Sequence, residues 1–221
     1  SSAASDVYKR QYLGFALATF AGLSTGIGSG LALFTKSFNK RFLAIALGLS
    51  AGIMLYVSFV ELMQLSFESL TAIYGMNFGK LITVTGFVVG LLLMLLIDQL
   101  FDHHSIADFI SRSEDKNESV LIKAGVFSAI ALAIHNFPEG FATFTATVYD
   151  PAIGVTLATA IAVHNIPEGI AVSVPIYYAT KSKRKAFYIS FLSGLAEPIG
   201  ALIGFLIFRT VFNEALFGIS F

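Results

Sequence analysis

No cysteine and no tryptophan occur among the 221 residues. The first absence excludes disulfides and thiolate metal ligands and leaves the redox compartment open. The second leaves any aromatic belt at a membrane surface to Tyr and Phe. Charge is also scarce. Asp, Glu, Lys and Arg make up 13% of the chain, where soluble domains carry about 25%. The 14 basic residues match the 14 acidic ones, so no basic excess points to a nucleic-acid partner. What fills the chain instead is apolar: 56% hydrophobic residues, with 22 Phe and 19 Gly, and a mean hydropathy of +0.78. That balance predicts an integral membrane protein, with the lipid bilayer as its solvent.

A spanning helix needs about 20 mostly apolar residues, whereas a strand of a membrane barrel needs about 9–11. Six runs have helical length: Tyr12–Phe34, Phe42–Leu65, Phe78–Phe101, Leu121–Val148, Ala152–Ala179 and Ala186–Phe212. A seventh begins at Ala215 and stops within apolar sequence at Phe221, so further C-terminal residues are expected. The fold class is therefore all-α: one polytopic membrane bundle over residues 1–221, with six complete spans and the start of a seventh. The N-terminal Ser1–Gln11 is polar and lacks the pattern of a cleavable signal peptide. The distribution of Lys and Arg sets the orientation. With the N-terminus outside, the inner loops hold Lys36, Lys40, Arg41, Arg112, Lys116, Lys123, Lys181, Lys183, Arg184 and Lys185. The outer side holds Lys9, Arg10, Lys80 and Arg209. The positive-inside rule favours this arrangement in an inner (cell) membrane. The polar stretch 102–119 then forms a cytoplasmic loop.

Within these runs one hexamer occurs twice. His135-Asn136-Phe137-Pro138-Glu139-Gly140 lies in the fourth, and His164-Asn165-Ile166-Pro167-Glu168-Gly169 in the fifth. An acid at a bilayer centre costs roughly 2.5–3.5 kcal/mol on insertion scales, so such residues are functional candidates. On a helix, residues four apart share a face. His135 pairs with Glu139 and His164 with Glu168, while each Asn stands about 100° round, three residues before its Glu. Each carboxylate is thus shared by two ligand edges, as two neighbouring cations would require. Glu197 follows Glu168 by the same 29 residues that separate Glu168 from Glu139, which places all three acids near mid-span. No Lys or Arg accompanies them within their runs' centres, so a cation should fill the site. Pro138, Pro167 and Pro198 adjoin these acids and each removes a helical hydrogen bond, predicting kinked helices at a cavity. A purely structural pair of kinked helices is the blander reading.

Other polar residues are less specific. Met54 and Glu61 lie seven apart on the second run, on one face; Glu61 reads either as part of a pathway or as an interfacial acid. Glu68 and Asp98, near helix ends, read as interfacial. His103 and His104 read as a solvated loop pair, with transient metal capture as the sharper alternative. The first run carries Gly14, Gly22, Gly26, Gly28 and Gly30, a small-residue packing face. No His-Glu-x-x-His string occurs, so the zincin-type intramembrane protease is disfavoured. Neither catalytic residues nor a resident cofactor are expected.

The paired hexamers, with Gly52-Ile53-Met54-Leu55 and Glu61 in the second run and Gly194-Leu195-Ala196-Glu197-Pro198 in the sixth, resemble the ZIP family of divalent-metal transporters, in its bacterial ZupT-like branch. The resemblance extends from about Gly14 to Phe221. It implies eight helices, both termini outside, metal entry into the cytoplasm and, often, homodimers. It also implies that His135, Glu139, His164 and Glu168 form one metal site. Asn136, Asn165 and Glu197 complete a second that shares the motif acids, and Met54 and Glu61 line the path. Other branches begin the fifth-helix motif with Gln-Asp where this chain has His164-Asn165, one negative charge fewer. The expected cargo is Zn²⁺, Fe²⁺, Cd²⁺, Mn²⁺ or Co²⁺, which suit imidazole, carboxylate and amide ligands.

Overall fold

A computed structural model describes residues 2–34, 40–100 and 118–211. Among these residues the regular elements are all helical. They are α1 (Ser2–Phe34), α2 (Lys40–Tyr56), a π-helical turn (Val57–Leu62), α3 (Met63–Tyr74), α4 (Met76–Leu100), α5 (Glu118–Tyr149), α6 (Pro151–Thr180), α7 (Lys183–Gly194) and α8 (Ala196–Val211). The polar stretch 102–117, with His103 and His104, and the seventh run lie outside the described residues.

Among the described residues, five stretches are long and apolar enough to cross a bilayer: Asp6–Phe34, Ala44–Tyr74, Met76–Ile97, Pro151–Tyr178 and Lys183–Ile207. The 32-residue α5 is also long enough to span. Together they make a polytopic helical membrane protein.

Two boundaries move outward from the sequence reading. α1 begins at Ser2 and not at Tyr12, because the polar N-terminus continues the helix. Arg10 there donates to the carbonyl of Tyr149 at 2.8 Å, capping carbonyls that the end of α5 leaves free. The second span continues past Leu65 to Tyr74. Leu65, Ser66, Ser69 and Leu70 are buried there, and Ser66 and Thr83 share a hydrogen bond of 3.1 Å. Gly75, at φ 80°, is the whole connection to α4, in a backbone region that glycine adopts without a Cβ penalty.

Capping residues punctuate the second half. Asp150 accepts from the Ala152 amide at 2.8 Å, with Pro151 at the first position of α6. Ser182 accepts from the Lys185 amide at 3.3 Å at the start of α7. Side-chain oxygens at these positions satisfy amides that a helix start leaves unbonded.

α1 lies at the centre of the bundle, packed along α6 and also against α5, α7 and α8. α2 joins this group through α6, and α3 and α4 form a peripheral hairpin. The central crossings are close because they are made of small residues. A Cβ on Gly28 would overlap the Ile166 carbonyl, and one on Gly22 would overlap that of Gly194. Buried apolar contacts such as Ala18, Phe144, Val148 and Ala201 fill one layer, and Ala21, Ala146, Leu157 and Ile161 another. The polar mid-span residues are held between such layers.

Proline acts differently in the three acid-bearing spans. Pro138 and Pro167 lie inside uninterrupted helices. At Pro198 the span is divided: α7 ends at Gly194 and α8 begins at Ala196, with Leu195 between them. The Leu195 amide turns back to the carbonyls of Leu192 and Ser193.

Candidate metal site

The two hexamers face each other across the contact between α5 and α6. Nε2 of His135 lies 3.2 Å from Oε1 of Glu139, one turn along the same helix. Nε2 of His164, on α6, lies 3.2 Å from the same oxygen and 3.4 Å from Oε2. Glu139 therefore receives an imidazole from each motif. The Glu139 side chain is 16% exposed and that of His164 3%, whereas that of His135 is 32% exposed. The cluster is open on the His135 side and closed on the His164 side. Glu168 stands within Coulombic range of Glu139 and of both imidazoles, and its Oε2 is buried without a hydrogen-bond partner.

The amides occupy a second, drier compartment. Asn136, Asn165 and Glu197 are each 0% exposed. Asn165 donates through Nδ2 to the Ala21 carbonyl at 2.9 Å and to Oε1 of Glu197. Asn136 reaches the Ser193 carbonyl at 3.5 Å, beside the break in the sixth span. Three oxygens remain buried and unpartnered here: Oδ1 of Asn136, Oδ1 of Asn165 and Oε2 of Glu197. Buried acceptors without partners cost about 1–3 kcal/mol each. Glu197 also lies within Coulombic range of Glu139 and Glu168, so the two compartments share one acidic neighbourhood.

The donor set fits a borderline divalent ion. Among the described residues, however, no three His, Asp or Glu side chains are spaced about a common point as ligands of one ion would be. His135 and His164 are instead hydrogen-bonded to Glu139. An arriving ion would replace those contacts.

Met54 and Glu61 lie on the second span, which packs on α6. Glu61, half-buried at the π-helical turn, lines a cavity of about 360 Å³ between α2, that turn and the first half of α6. Its other walls include Gly48, Gly52, Leu157 and Ala160. Leu157, Ala160 and His164 fall on one helical face, so this cavity and the imidazole lie along the same side of α6. Ser50 ties α2 to the hexamer by donating to the His164 carbonyl at 3.3 Å. Met54 is one turn further along α2 from Ser50. Glu68 is exposed, and the Asp98 side chain lies outside the described residues.

Several contributors are not evident from the hexamers themselves. The final glycines of both motifs are contact points: a Cβ on Gly140 would overlap the backbone of Glu197, and one on Gly169 the carbonyl of Thr25. A Gly in the same place in both copies was the available signal. The Ala21 carbonyl left no sequence signal, because main-chain acceptors are the same at every residue.

Residues 101–219 match the sequence pattern of the family described as ZIP zinc transporter. The chain is 50% identical to the zinc transporter ZupT of Chlorobium chlorochromatii over 213 residues, covering 94% of this chain and 80% of that protein. It is 50% identical to the zinc transporter ZupT of Oceanobacillus iheyensis over 216 residues, covering 95% and 81%. For the protein of the same name from Clostridium perfringens the identity is 44% over 225 residues, covering 94% and 79%. Agreement of this extent, on a helical membrane bundle with two facing His-Asn-x-Pro-Glu-Gly motifs, places the chain in the ZIP family of zinc transporters.

Proposed function

We propose that the protein carries Zn²⁺ and similar divalent ions across the membrane into the cytoplasm, through a two-compartment site on its fourth, fifth and sixth spans. As a member of the ZIP family it is a divalent-metal transporter and not an enzyme. The observation that carries the finer reading is the meeting of both imidazoles at Glu139. Two helices each contribute a costly polar residue to one carboxylate, and three buried oxygens nearby lack partners. Such an arrangement is expensive as mere packing and useful as a transit site.

In this reading His135, Glu139, His164 and Glu168 receive the ion first, on the more exposed side. Asn136, Asn165 and Glu197 offer the second compartment. Met54 and the cavity at Glu61 line the approach. Fe²⁺, Cd²⁺, Mn²⁺ and Co²⁺ are further cargo, since imidazole and oxygen ligands discriminate weakly among them. The N-terminus faces outward in the inner membrane, residues 1–221 act as a single membrane domain whose cytoplasmic loop, expected over 102–119, ends before α5 begins at Glu118, and two copies pair as a homodimer. Uptake of Zn²⁺ into sealed proteoliposomes, with each other ion as competitor, tests this. Uptake over protein-free vesicles that competing divalent ions suppress is expected. Uptake equal to that of protein-free vesicles would overturn the reading.

A further inference from the structure

Thr25 of α1 is buried, and its hydroxyl has no partner. The residue is 0% exposed and its Oγ1 makes no hydrogen bond. Thr143 shares this state, but helical threonines commonly donate to the carbonyl four residues back. Thr19, Thr83, Thr147, Thr156, Thr159 and Thr180 all do so here. The acceptor available to Thr25 is the Ala21 carbonyl. That oxygen already receives Ser24 Oγ at 2.5 Å and Asn165 Nδ2 at 2.9 Å. Together with the helical Thr25 amide, these donors crowd the oxygen that would otherwise take the Thr25 hydroxyl.

Its surroundings define where it sits. A Cβ built on Gly194 would lie 3.0 Å from Thr25 Oγ1, and one on Gly22 would lie 3.3 Å from the Glu197 Cβ. Gly194 is one turn before Glu197. The Thr25 carbonyl abuts Gly169, one turn after Asn165. Thr25 is therefore wedged between the two helix segments that carry Asn165 and Glu197, which are bonded to each other. Thr25 and Gly22 are three residues apart and share the face of α1 that meets this pair.

Resting on the two-compartment reading above, we propose that Thr25 contributes a cargo-contacting oxygen from the first span, making the amide-rich compartment an all-oxygen site. Its ligands would be Asn136 Oδ1, Asn165 Oδ1, Glu197 Oε2 and Thr25 Oγ1, four buried oxygens that lack partners. Amide, carboxylate and hydroxyl oxygens suit hard ions such as Mn²⁺, while the imidazole compartment suits Zn²⁺ and Cd²⁺. Selectivity would then differ between the two steps of one passage.

The test compares Mn²⁺ and Cd²⁺ binding to the purified full chain in detergent, as wild type, Thr25→Val and Thr25→Ser. Thr25→Val keeps the shape and removes the oxygen. Its Mn²⁺ affinity should fall at least about tenfold, the scale of losses at metal sites, with Cd²⁺ affinity within about twofold. Thr25→Ser should keep most of the Mn²⁺ affinity. Equal Mn²⁺ binding by wild type and Thr25→Val would overturn the inference. So would equal losses for both ions and both variants, which a packing role would produce. Mn²⁺-soaked wild-type crystals give a readout without any variant. An anomalous peak within about 2.6 Å of Thr25 Oγ1, an oxygen-ligand distance, is expected. A peak held by Asn136, Asn165 and Glu197 but not by Thr25 would overturn this inference alone. No Mn²⁺ at either compartment would overturn the reading beneath it as well.

Discussion

Glu139 is the one acid that both imidazoles reach. Replacing it by Ala removes the shared acceptor and leaves both rings without their hydrogen-bond partner. Glu139→Ala should therefore lower Zn²⁺ uptake into vesicles by at least about tenfold, while Glu68→Ala, at an exposed position, should leave it unchanged. Near-normal uptake by a folded Glu139→Ala protein would remove Glu139 from the transit site. Protons should compete with the ion, because metal binds the neutral ring. The ordinary imidazole value is about 6.5. Affinity for Zn²⁺ should be highest above that region and fall as pH drops through it, as a titration series in detergent would show. Affinity that stays constant between about pH 5 and 7.5 would argue against imidazole ligation. The pairing of His135 with Glu139 was legible from a four-residue spacing. That His164 turns to Glu139 was not, since the spacing within the two motifs is identical. Only the packing of α5 on α6 breaks that symmetry. Thr25 was illegible for a related reason: its acceptor, the Ala21 carbonyl, is also taken by Asn165, 140 residues from Thr25.

At the level of elements, close helix approach explains residues that carry no chemistry. Gly140 lies against the backbone of Glu197, whereas a Cβ on Gly30 would meet nothing within 4 Å. Gly140→Ala should destabilise the protein by about 1–3 kcal/mol, the usual cost of forcing atoms into a filled space. Gly30→Ala should be neutral or slightly stabilising, since Ala favours a helix. Thermal unfolding in detergent measures both, and equal melting of the two variants would contradict this packing. The spans themselves were readable from run length, and the glycine face of α1 from its composition. The effects of the prolines were less so. Three Pro–acid neighbours look alike in sequence, but α5 and α6 absorb the missing hydrogen bond and only the sixth span divides. The division falls where Gly194 and its carbonyl meet α1, a contact that run length does not encode. The extension of the second span to Tyr74 was hidden by its polar residues, of which Ser66 finds a partner on α4 while Ser69 and Thr71 bond back to their own helix.

At the level of the whole molecule, the hairpin of α3 and α4 and the cavity at Glu61 lie to one side of a denser bundle of α1, α5, α6, α7 and α8. If ions approach through that cavity, Glu61 is the charged group they meet along its wall. Glu61→Gln should change the competition among Zn²⁺, Fe²⁺ and Cd²⁺ in vesicle uptake by several-fold without lowering the melting temperature. An unchanged competition profile would mark Glu61 as an interfacial acid beside an apolar cleft. The central claim is that the buried hexamers hold the cargo in two compartments, and anomalous diffraction from crystals soaked in Zn²⁺ or Cd²⁺ tests it most directly. Two peaks about 3.5–4 Å apart, the separation in carboxylate-bridged pairs, are expected beside Glu139 and Glu168. The stronger should lie on the side of His135 and His164, and the weaker on the side of Asn136, Asn165 and Glu197. A single peak at saturating metal would reduce the amide-rich side to a supporting shell, and no peak at either side would contradict the claim.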